Sequence, residues 1–318
     1  WQLPHYFSKH AKRLGDFDIA GKVLSQATDI MTRKLIGFFQ QQHGEAPLAF
    51  CWLVYGSQAR EDQTMGSDQD NGMLFSTEPN PEQAQYFADM AEYVCRGLDK
   101  CGIKLCTGNI MASNPELRLS VEQAVAQAES WVREPSPQAI LNCNIFLDVR
   151  AVAGNRFLLN QLHTERKELL KQSRFIAALT RHASEGHVPL SMFQKFVYKK
   201  GLGKKDCIDL KNSGVAIINN LVRIYSLANG LTMPSIPHRL DGLLTHSGLS
   251  SKDVKNLRDI WLLFNRLRWR HQIQNKVTDN YVSISDLSSI EKYQLKEAMR
   301  VIRRTQQAAV FKFAGGLG

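Results

Sequence analysis

The sequence lacks the features by which several classes of protein are recognised. None of its six cysteines lies in a C-x-x-C pair, and none of its nine histidines forms an H-x-x-x-H pattern, so the usual signatures of a zinc site are missing. No apolar run reaches the roughly 18 residues of a membrane span, and no signal peptide is recognisable. A chain of this size folds without disulfides, so we interpret the cysteines as reduced thiols of a cytoplasmic protein. A disulfide in an oxidising compartment is the alternative.

Negative charge is scarce in the second half of the chain. The formal net charge is +10, from 40 Lys and Arg against 30 Asp and Glu. Residues 1–165 have a net charge of −5, and residues 166–318 have one of +15. Solvated helix faces account for most such charges. The functional interpretation is an acidic half that holds metal and a basic half that faces an anion: a nucleoside triphosphate, a nucleic acid or an acidic protein.

The first half alternates helix-like and strand-like patterns. Apolar residues at helical spacing predict a helix over 17–43. Two further helices are predicted to begin after the capping residues Asn80 and Ser120 and to end near Lys100 and Arg133. Short apolar runs rich in β-forming residues predict four strands, at 48–55, 70–76, 103–112 and 142–152.

The second half has a helical pattern from about Asn160 onward. Breaks are predicted near 186–189, 201–203, 230–237, 248 and 278–283. The sequence therefore predicts the α+β class, with a small mixed sheet in a first domain followed by an all-helical second domain. The first domain is expected to cover residues 1–165 and the second residues 166–318, with the boundary somewhere between 155 and 185.

Two aspartates separated by one residue follow a Gly-Ser step in the stretch YGSQAREDQTMGSDQDNGMLF, from Tyr55 to Phe75. Alternate residues of a strand share one face, so the side chains of Asp68 and Asp70 are expected to point the same way. Their mutual repulsion calls for a cation. Mg²⁺ takes oxygen ligands and is commonly held by one or two carboxylates together with substrate phosphates. The pair therefore predicts a magnesium site, with Mn²⁺ as the alternative ion, although a solvated turn has the same pattern.

The Gly-Ser step lies between a predicted strand and a predicted short helix. Gly56 lacks a Cβ, which lets the backbone approach a ligand closely. Backbone N–H groups of the turn and the Ser57 hydroxyl can contact a phosphate. Arg60, one helical turn further on, can pair with phosphate oxygens. The order of these parts predicts a phosphate-binding turn followed by a metal-binding carboxylate pair.

This arrangement resembles a known family. Gly56 to Asn71 is similar to the motif G-S-x-G-R-x-E-Q-T-x-x-x-D-Q-D-N of bacterial nucleotidyltransferases that accompany CBS and cyclic-nucleotide-binding domains. That family resembles the catalytic domain of the PII uridylyltransferase and has the nucleotidyltransferase fold of DNA polymerase beta. Three further blocks resemble it: LDKCGIKLCTGNIMASNPELR (98–118), FLDVRAVAGN (146–155) and IDLKNSGVAIINNLVRIYSLANGL (208–231).

The resemblance implies further site residues. A third carboxylate on a later strand would hold metal and activate the attacking hydroxyl, and the candidate is Asp148, in an apolar strand-like run. The alternative is that Asp148 pairs with Arg150 or with a helix end. The resemblance also implies that Asn71 and Lys211 contribute to nucleotide binding.

Two positions depart from the family motif. Ala59 stands where glycine is usual, and its methyl group could crowd the phosphate-binding turn, although a helical position would accept it. Asp62 stands where glutamate is usual, which keeps the charge and shortens the side chain.

The resemblance implies a magnesium-dependent enzyme that transfers a nucleoside monophosphate from a nucleoside triphosphate to a hydroxyl. A PII-like regulatory protein is the implied acceptor, and signal transduction is the implied setting. Two alternatives are open. One is a nucleotide-sensing signalling module without full chemistry, and the other is an RNA-end nucleotidyltransferase, which the basic second half would suit.

Overall fold

The computed structural model describes residues 3–14, 17–191, 195–198, 206–246 and 248–315. The chain divides into two compact units. The first consists of Trp1–Leu169 with Thr232–Ser235, and the second of Leu170–Leu231 with Ile236–Gly318. The predicted break near 201–203 lies outside the described residues.

The first unit combines a four-stranded sheet with helices. Its strands are β1 (Phe50–Tyr55), β2 (Asn71–Phe75), β3 (Arg118–Ser120) and β4 (Val149–Gly154). Its helices are α1 (Leu3–Leu14), α2 (Ala20–His43), α3 (Gly56–Arg60), α4 (Pro81–Lys100), α5 (Val121–Arg133), α6 (Pro137–Phe146) and α7 (Phe157–Leu170).

The sheet has the order β3-β2-β1-β4. Strand β1 pairs antiparallel with both β2 and β4, whereas β2 and β3 are parallel, so the sheet is mixed. All six residues of β1 are buried, as expected for a central strand covered on both faces. Because β1 runs against both neighbours, its last residue lies beside the first residues of β2 and β4.

Local signals correctly predict several elements. The helix expected over 17–43 is α2, and the runs at 48–55 and 70–76 contain β1 and β2. Asn80 and Ser120 each form a capping box with the glutamine three residues later, at the start of α4 and α5.

One predicted strand is wrong, and another is only partly right. Residues 103–112 form an irregular loop with a single bridge between Asp68 and Lys104, and the third strand is β3. The run at 142–152 is split: its first part lies in α6, which is capped by Ser136 and has Pro137 at its first position, and only its second part lies in β4.

The second unit is helical, as predicted. It contains α8 (Ser173–Ser184), α9 (Ala216–Ala228), α10 (Ile236–Thr245), α11 (Ser251–Asn275) and α12 (Ser289–Ala314). A π-helical turn, Lys211–Val215, precedes α9. The sequence did not predict a two-stranded antiparallel sheet, β5 (Cys207–Asp209) with β6 (Tyr281–Ser283). The core of the second unit includes Phe264 and Leu240, neither of which is accessible to solvent.

All six cysteines are thiols rather than members of disulfides. Within the described part of the chain, no helix has the length and apolar character that crossing a membrane requires.

Candidate active site

The site is built where three strand ends meet. The N–H of Tyr55, the last residue of β1, donates to the carbonyl of Asp70 at 2.9 Å. The N–H of Gly56 donates to the carbonyl of Asp148 at 3.0 Å. The antiparallel pairing of β1 with both neighbours therefore fixes Asp70 and Asp148 on either side of the Gly-Ser turn.

Gly56 has a conformation that favours glycine, with φ of +55°. A Cβ at this position would lie 3.2 Å from Oδ2 of Asp70, which is closer than most Cβ contacts. The missing side chain thus lets the turn approach the carboxylate. The next residue, Ser57, has its hydroxyl 3.5 Å from that of Ser67.

Asp68, Asp70 and Cys106 form a group of side chains that could hold a metal ion. Each offers one ligand atom, and the three atoms lie within 4.8 Å of one another. All three residues are partly buried. The sulfur belongs to Cys106, which lies in the loop at 103–112 that the sequence predicted to be a strand. The donor set fits a divalent cation, because carboxylate oxygens are the ligands that Mg²⁺ and Mn²⁺ prefer.

The Cys106 thiol is electrostatically coupled to the two aspartates. Burial raises the pKa of Cys106 to about 11, and the negative charges of Asp70 and Asp68 act in the same direction, as does a hydrogen bond to Asp70. A hydrogen bond with the backbone of Ile110 opposes this increase. The thiol is therefore protonated at neutral pH in the absence of a cation.

Asp148 does not belong to that group and instead pairs with Arg60. Nη1 of Arg60 lies 2.8 Å from Oδ2 of Asp148, and Nε lies 3.2 Å from Oδ2 of Asp62. The Asp148 side chain is completely buried. Burial opposes the charge of Arg60, but the attraction of Asp62 and Asp148 outweighs it and raises the pKa of Arg60. Asp62, at the position where the motif has glutamate, is thus an ion-pair partner inside the fold.

Arg150 pairs with Asp29, whereas the sequence suggested Asp148 as its partner. Its guanidinium lies 2.5 Å and 3.1 Å from the two oxygens of Asp29 on α2, and it donates to the carbonyl of Gln58 at 3.0 Å. The Gln58 amide in turn donates to Asp29 at 2.9 Å. This buried network attaches the short helix α3 to α2 and β4. The structure thus shows ion pairs of Arg150 with Asp29 and of Asp148 with Arg60.

Asn71 and Ala59 both face the interior. The Asn71 side chain accepts from the N–H of Ala112 at 2.7 Å and donates to Gln69 at 3.3 Å, and the residue is 1% exposed. It thus attaches the loop to β2. Ala59 is also 1% exposed, so its methyl group packs inside the unit.

Lys211 lies in the second unit and is exposed. Its N–H donates to Asp209, whose carboxylate also accepts two bonds from Asn212. The Asp209 carboxylate therefore accepts three hydrogen bonds from the first residues of the π-helical turn. A cavity of about 1020 Å³ opens nearby in the same unit, and its lining includes Asp209, Arg303 and Gln307.

Sequence reasoning did not identify Cys106 or Asp29. Both lie far from the motif along the chain, and their roles depend on tertiary contacts. A weak signal existed for Cys106, because it lies in the block at 98–118 that resembles the family. Asp29 had no comparable signal, since a single acid on an amphipathic helix is usually solvated.

Comparison with protein families identifies the class. Residues 2–138 match the family described as "Putative nucleotidyltransferase DUF294". Residues 173–313 match the one described as "Putative nucleotidyltransferase substrate binding domain". The two matches lie in different halves of the chain, and both descriptions name a nucleotidyltransferase, so the chain is similar to that family over both regions. The first match includes the Gly-Ser turn, the aspartate pair and Cys106, and it ends before Asp148. No curated protein matches the chain significantly.

Proposed function

We propose that the protein is an enzyme that transfers a nucleoside monophosphate from a nucleoside triphosphate to a hydroxyl group of a protein. The observation that carries the proposal is the aspartate pair Asp68 and Asp70, whose carboxylates converge beside the glycine turn at the end of β1. The match of residues 2–138 to a nucleotidyltransferase family model supports the reaction class. A PII-like regulator is the acceptor that the resemblance of the sequence suggests.

Asp68 and Asp70 would hold a divalent cation, Mg²⁺ or Mn²⁺. When bound, such an ion neutralises charge on the triphosphate and on the displaced pyrophosphate. Gly56 and Ser57 bind the phosphates by backbone and hydroxyl contacts. Asn71 supports nucleotide binding indirectly, since its side chain fastens the loop that contains Cys106.

Arg60 positions Asp148 in this proposal. Two of its nitrogens already bind Asp62 and Asp148, so its main contribution is to hold the third carboxylate beside the turn. For Asp148 to accept the proton of the attacking hydroxyl, its carboxylate must become accessible to the acceptor. Lys211, an exposed cation in the second unit, contributes a contact to the substrate.

The second unit binds the acceptor. Its family description, a substrate-binding domain, and its large cavity support this part of the proposal. The cavity is lined by both charged and apolar side chains, including Arg303 and Phe311. Such a lining suits a peptide segment better than a bare phosphate chain.

One observation favours a second candidate, a nucleotide-binding module that senses nucleotide without transferring it. Asp148 is completely buried against Arg60, and the metal-ligating group found among the described residues does not include it. A site with two aspartates could bind a metal–nucleotide complex and yet lack a base for the hydroxyl.

The test is incubation of the full chain with each of the four radiolabelled nucleoside triphosphates and Mg²⁺ or Mn²⁺, with a PII-like protein and total RNA as acceptors. Label transfer with pyrophosphate release is expected. It should fall at least about a hundredfold in Asp68→Asn/Asp70→Asn, because a metal ion supplies several kcal/mol of transition-state stabilisation.

The matched control is Asp89→Asn/Asp99→Asn, which makes the same charge change at two exposed positions of α4 and should leave transfer intact. Nucleotide binding without transfer to any acceptor would favour the sensing module. Equal transfer by the two double variants would contradict the assignment of the site.

A further inference from the structure

Cys106 is held in a fixed position beside the aspartate pair. The carbonyl of Lys104 accepts from the N–H of Gln69 at 2.9 Å, and the carbonyl of Ile110 accepts from the N–H of Asn71 at 3.0 Å. These bonds tie both ends of the short loop to the residues that flank Asp70. The position of the sulfur is therefore set by backbone hydrogen bonds.

The backbone between these two anchors folds back in a tight turn. Asn109 has φ of +56°, and its N–H donates to the carbonyl of Cys106 at 3.0 Å. Asparagine is among the residues that accept this left-handed conformation most readily. The turn directs the Cys106 side chain toward the aspartates, where it hydrogen bonds with Asp70.

The resulting donor set is chemically unusual for an ion that prefers oxygen. Two carboxylate oxygens and one sulfur lie within 4.8 Å of one another. Mg²⁺ uses oxygen ligands almost exclusively. Thiolates favour softer ions such as Zn²⁺, and the affinity of a mixed site rises from Mn²⁺ through Co²⁺.

We propose that Cys106 is a third protein ligand of the divalent ion held by Asp68 and Asp70, and that it makes the site prefer a transition-metal ion over Mg²⁺. The inference rests on the proposed function, because it uses the same aspartate pair. When such an ion binds, the sulfur forms a bond to the metal and the thiol proton passes to solvent. Mg²⁺ would occupy the oxygen ligands alone.

Cobalt provides the test, because a sulfur-to-cobalt bond gives a charge-transfer absorption in the near ultraviolet that oxygen ligands do not produce. Metal-free full-length chain is titrated with Co²⁺, and Mg²⁺ affinity is measured separately by calorimetry. The wild type and Cys101→Ser should develop the band. Cys101 is the matched control, a partly buried cysteine outside the metal-ligating group.

Cys106→Ser should lose the band, and its Co²⁺ affinity should fall at least about tenfold. Loss of a residue that only hydrogen bonds to a metal ligand already lowers metal affinity by about tenfold, and loss of a ligand should cost no less. Its Mg²⁺ affinity should stay within about twofold, since serine leaves the carboxylates in place. A second measurement needs no variant: Co²⁺ should protect Cys106 of the wild type from alkylation, as read by peptide mass spectrometry.

Two results would overturn the inference. Co²⁺ bound by the wild type without a charge-transfer band, or with the same affinity in Cys106→Ser, would mean that the sulfur is not a ligand. Nucleotide transfer with Mg²⁺ would then still establish the proposed function. Absence of transfer with every metal would instead count against the proposed function, whatever the cobalt spectrum showed.

Discussion

Arg60 joins two carboxylates, Asp62 and Asp148, in a part of the fold that water scarcely reaches. The Arg60 side chain is 14% exposed, and the carboxylates are 2% and 0% exposed. A buried ion pair is held in place because breaking it leaves an uncompensated charge. The same geometry also keeps a candidate catalytic group away from solvent. A structural role and a catalytic role of Asp148 therefore predict different effects when the residue is substituted.

Asp148→Asn should lower the free energy of unfolding by about 3 kcal/mol, near the low end for a broken buried pair because Asp62 still neutralises Arg60. Urea unfolding followed by fluorescence measures this change. Asp99→Asn, at an exposed position of α4, is the control and should unfold like the wild type. If Asp148→Asn were as stable as the wild type and yet transferred no nucleotide, the carboxylate would act in the reaction and its structural role would be small.

At the scale of elements, the start of α12 predicts a pH dependence. Glu291 closes a capping box with Ser288, and its carboxylate lies 2.5 Å from Arg270 on α11. The bond from Arg270 lowers the pKa of Glu291 below 4.5, its ordinary value, and bonds from Ser288 add to this effect. Since the folded state has the lower pKa, the pair stabilises the fold fully above pH 4.5 and less as the pH falls through the folded value.

We therefore expect the urea midpoint of the wild type to decrease below about pH 4.5. Glu291→Gln should be less stable at neutral pH and should lose part of this acid dependence. Glu297→Gln makes the same charge change further along α12 and should keep the slope due to Glu291. An unchanged slope in Glu291→Gln would show that the contact with Arg270 does not contribute to stability.

The cavity of the second unit gives another prediction for α12. Gln307→Trp places a large side chain on the lining, whereas Ala308→Trp places one at the neighbouring exposed position outside the lining. If the cavity holds the acceptor, the first variant should raise the KM for the acceptor severalfold and leave nucleotide affinity unchanged. Steady-state transfer assays measure both quantities. Equal KM values for the acceptor in the two variants would mean that the cavity does not bind the acceptor.

Elements with local signals are the ones that the sequence predicted well. The buried run of β1 and the capping boxes at Asn80 and Ser120 depend on neighbouring residues alone. The apolar residues at 142–147 look like a strand by composition, but Ser136 and Pro137 begin a helix that includes most of them. Periodicity over so few residues does not separate the two structures.

Strand β3 could not be found from its own sequence. It has three residues, and it is a strand because Met73, Leu74 and Phe75 of β2 pair with it. The same limit applies to the site. The motif predicted the aspartate pair and the glycine turn, whereas Cys106 and the Asp29–Arg150 pair depend on contacts between segments that are distant along the chain.

At the scale of the whole molecule, the uneven charge raises the question of RNA. Residues 166–318 carry a net charge of +15. If the acceptor is a protein, single-stranded RNA should bind only through this charge, so with about 6–10 phosphate contacts the affinity should fall by about 10²–10⁴ between 50 and 200 mM salt. Filter binding with labelled single-stranded RNA checks the slope. Label added to RNA ends would favour the RNA-end enzyme instead. The same conclusion would follow if RNA at 200 mM salt still inhibited nucleotide transfer to the protein acceptor.

The order of the sheet has a consequence for synthesis on the ribosome. Strand β1 meets β2 soon after it is made, but β4 ends at Gly154, roughly 100 residues after β1 and thus about 5–20 s later at common elongation rates. During that interval one edge of an entirely apolar strand has no partner. Phe50–Tyr55 is therefore the segment of the nascent chain that a holding chaperone would be expected to occupy until β4 emerges.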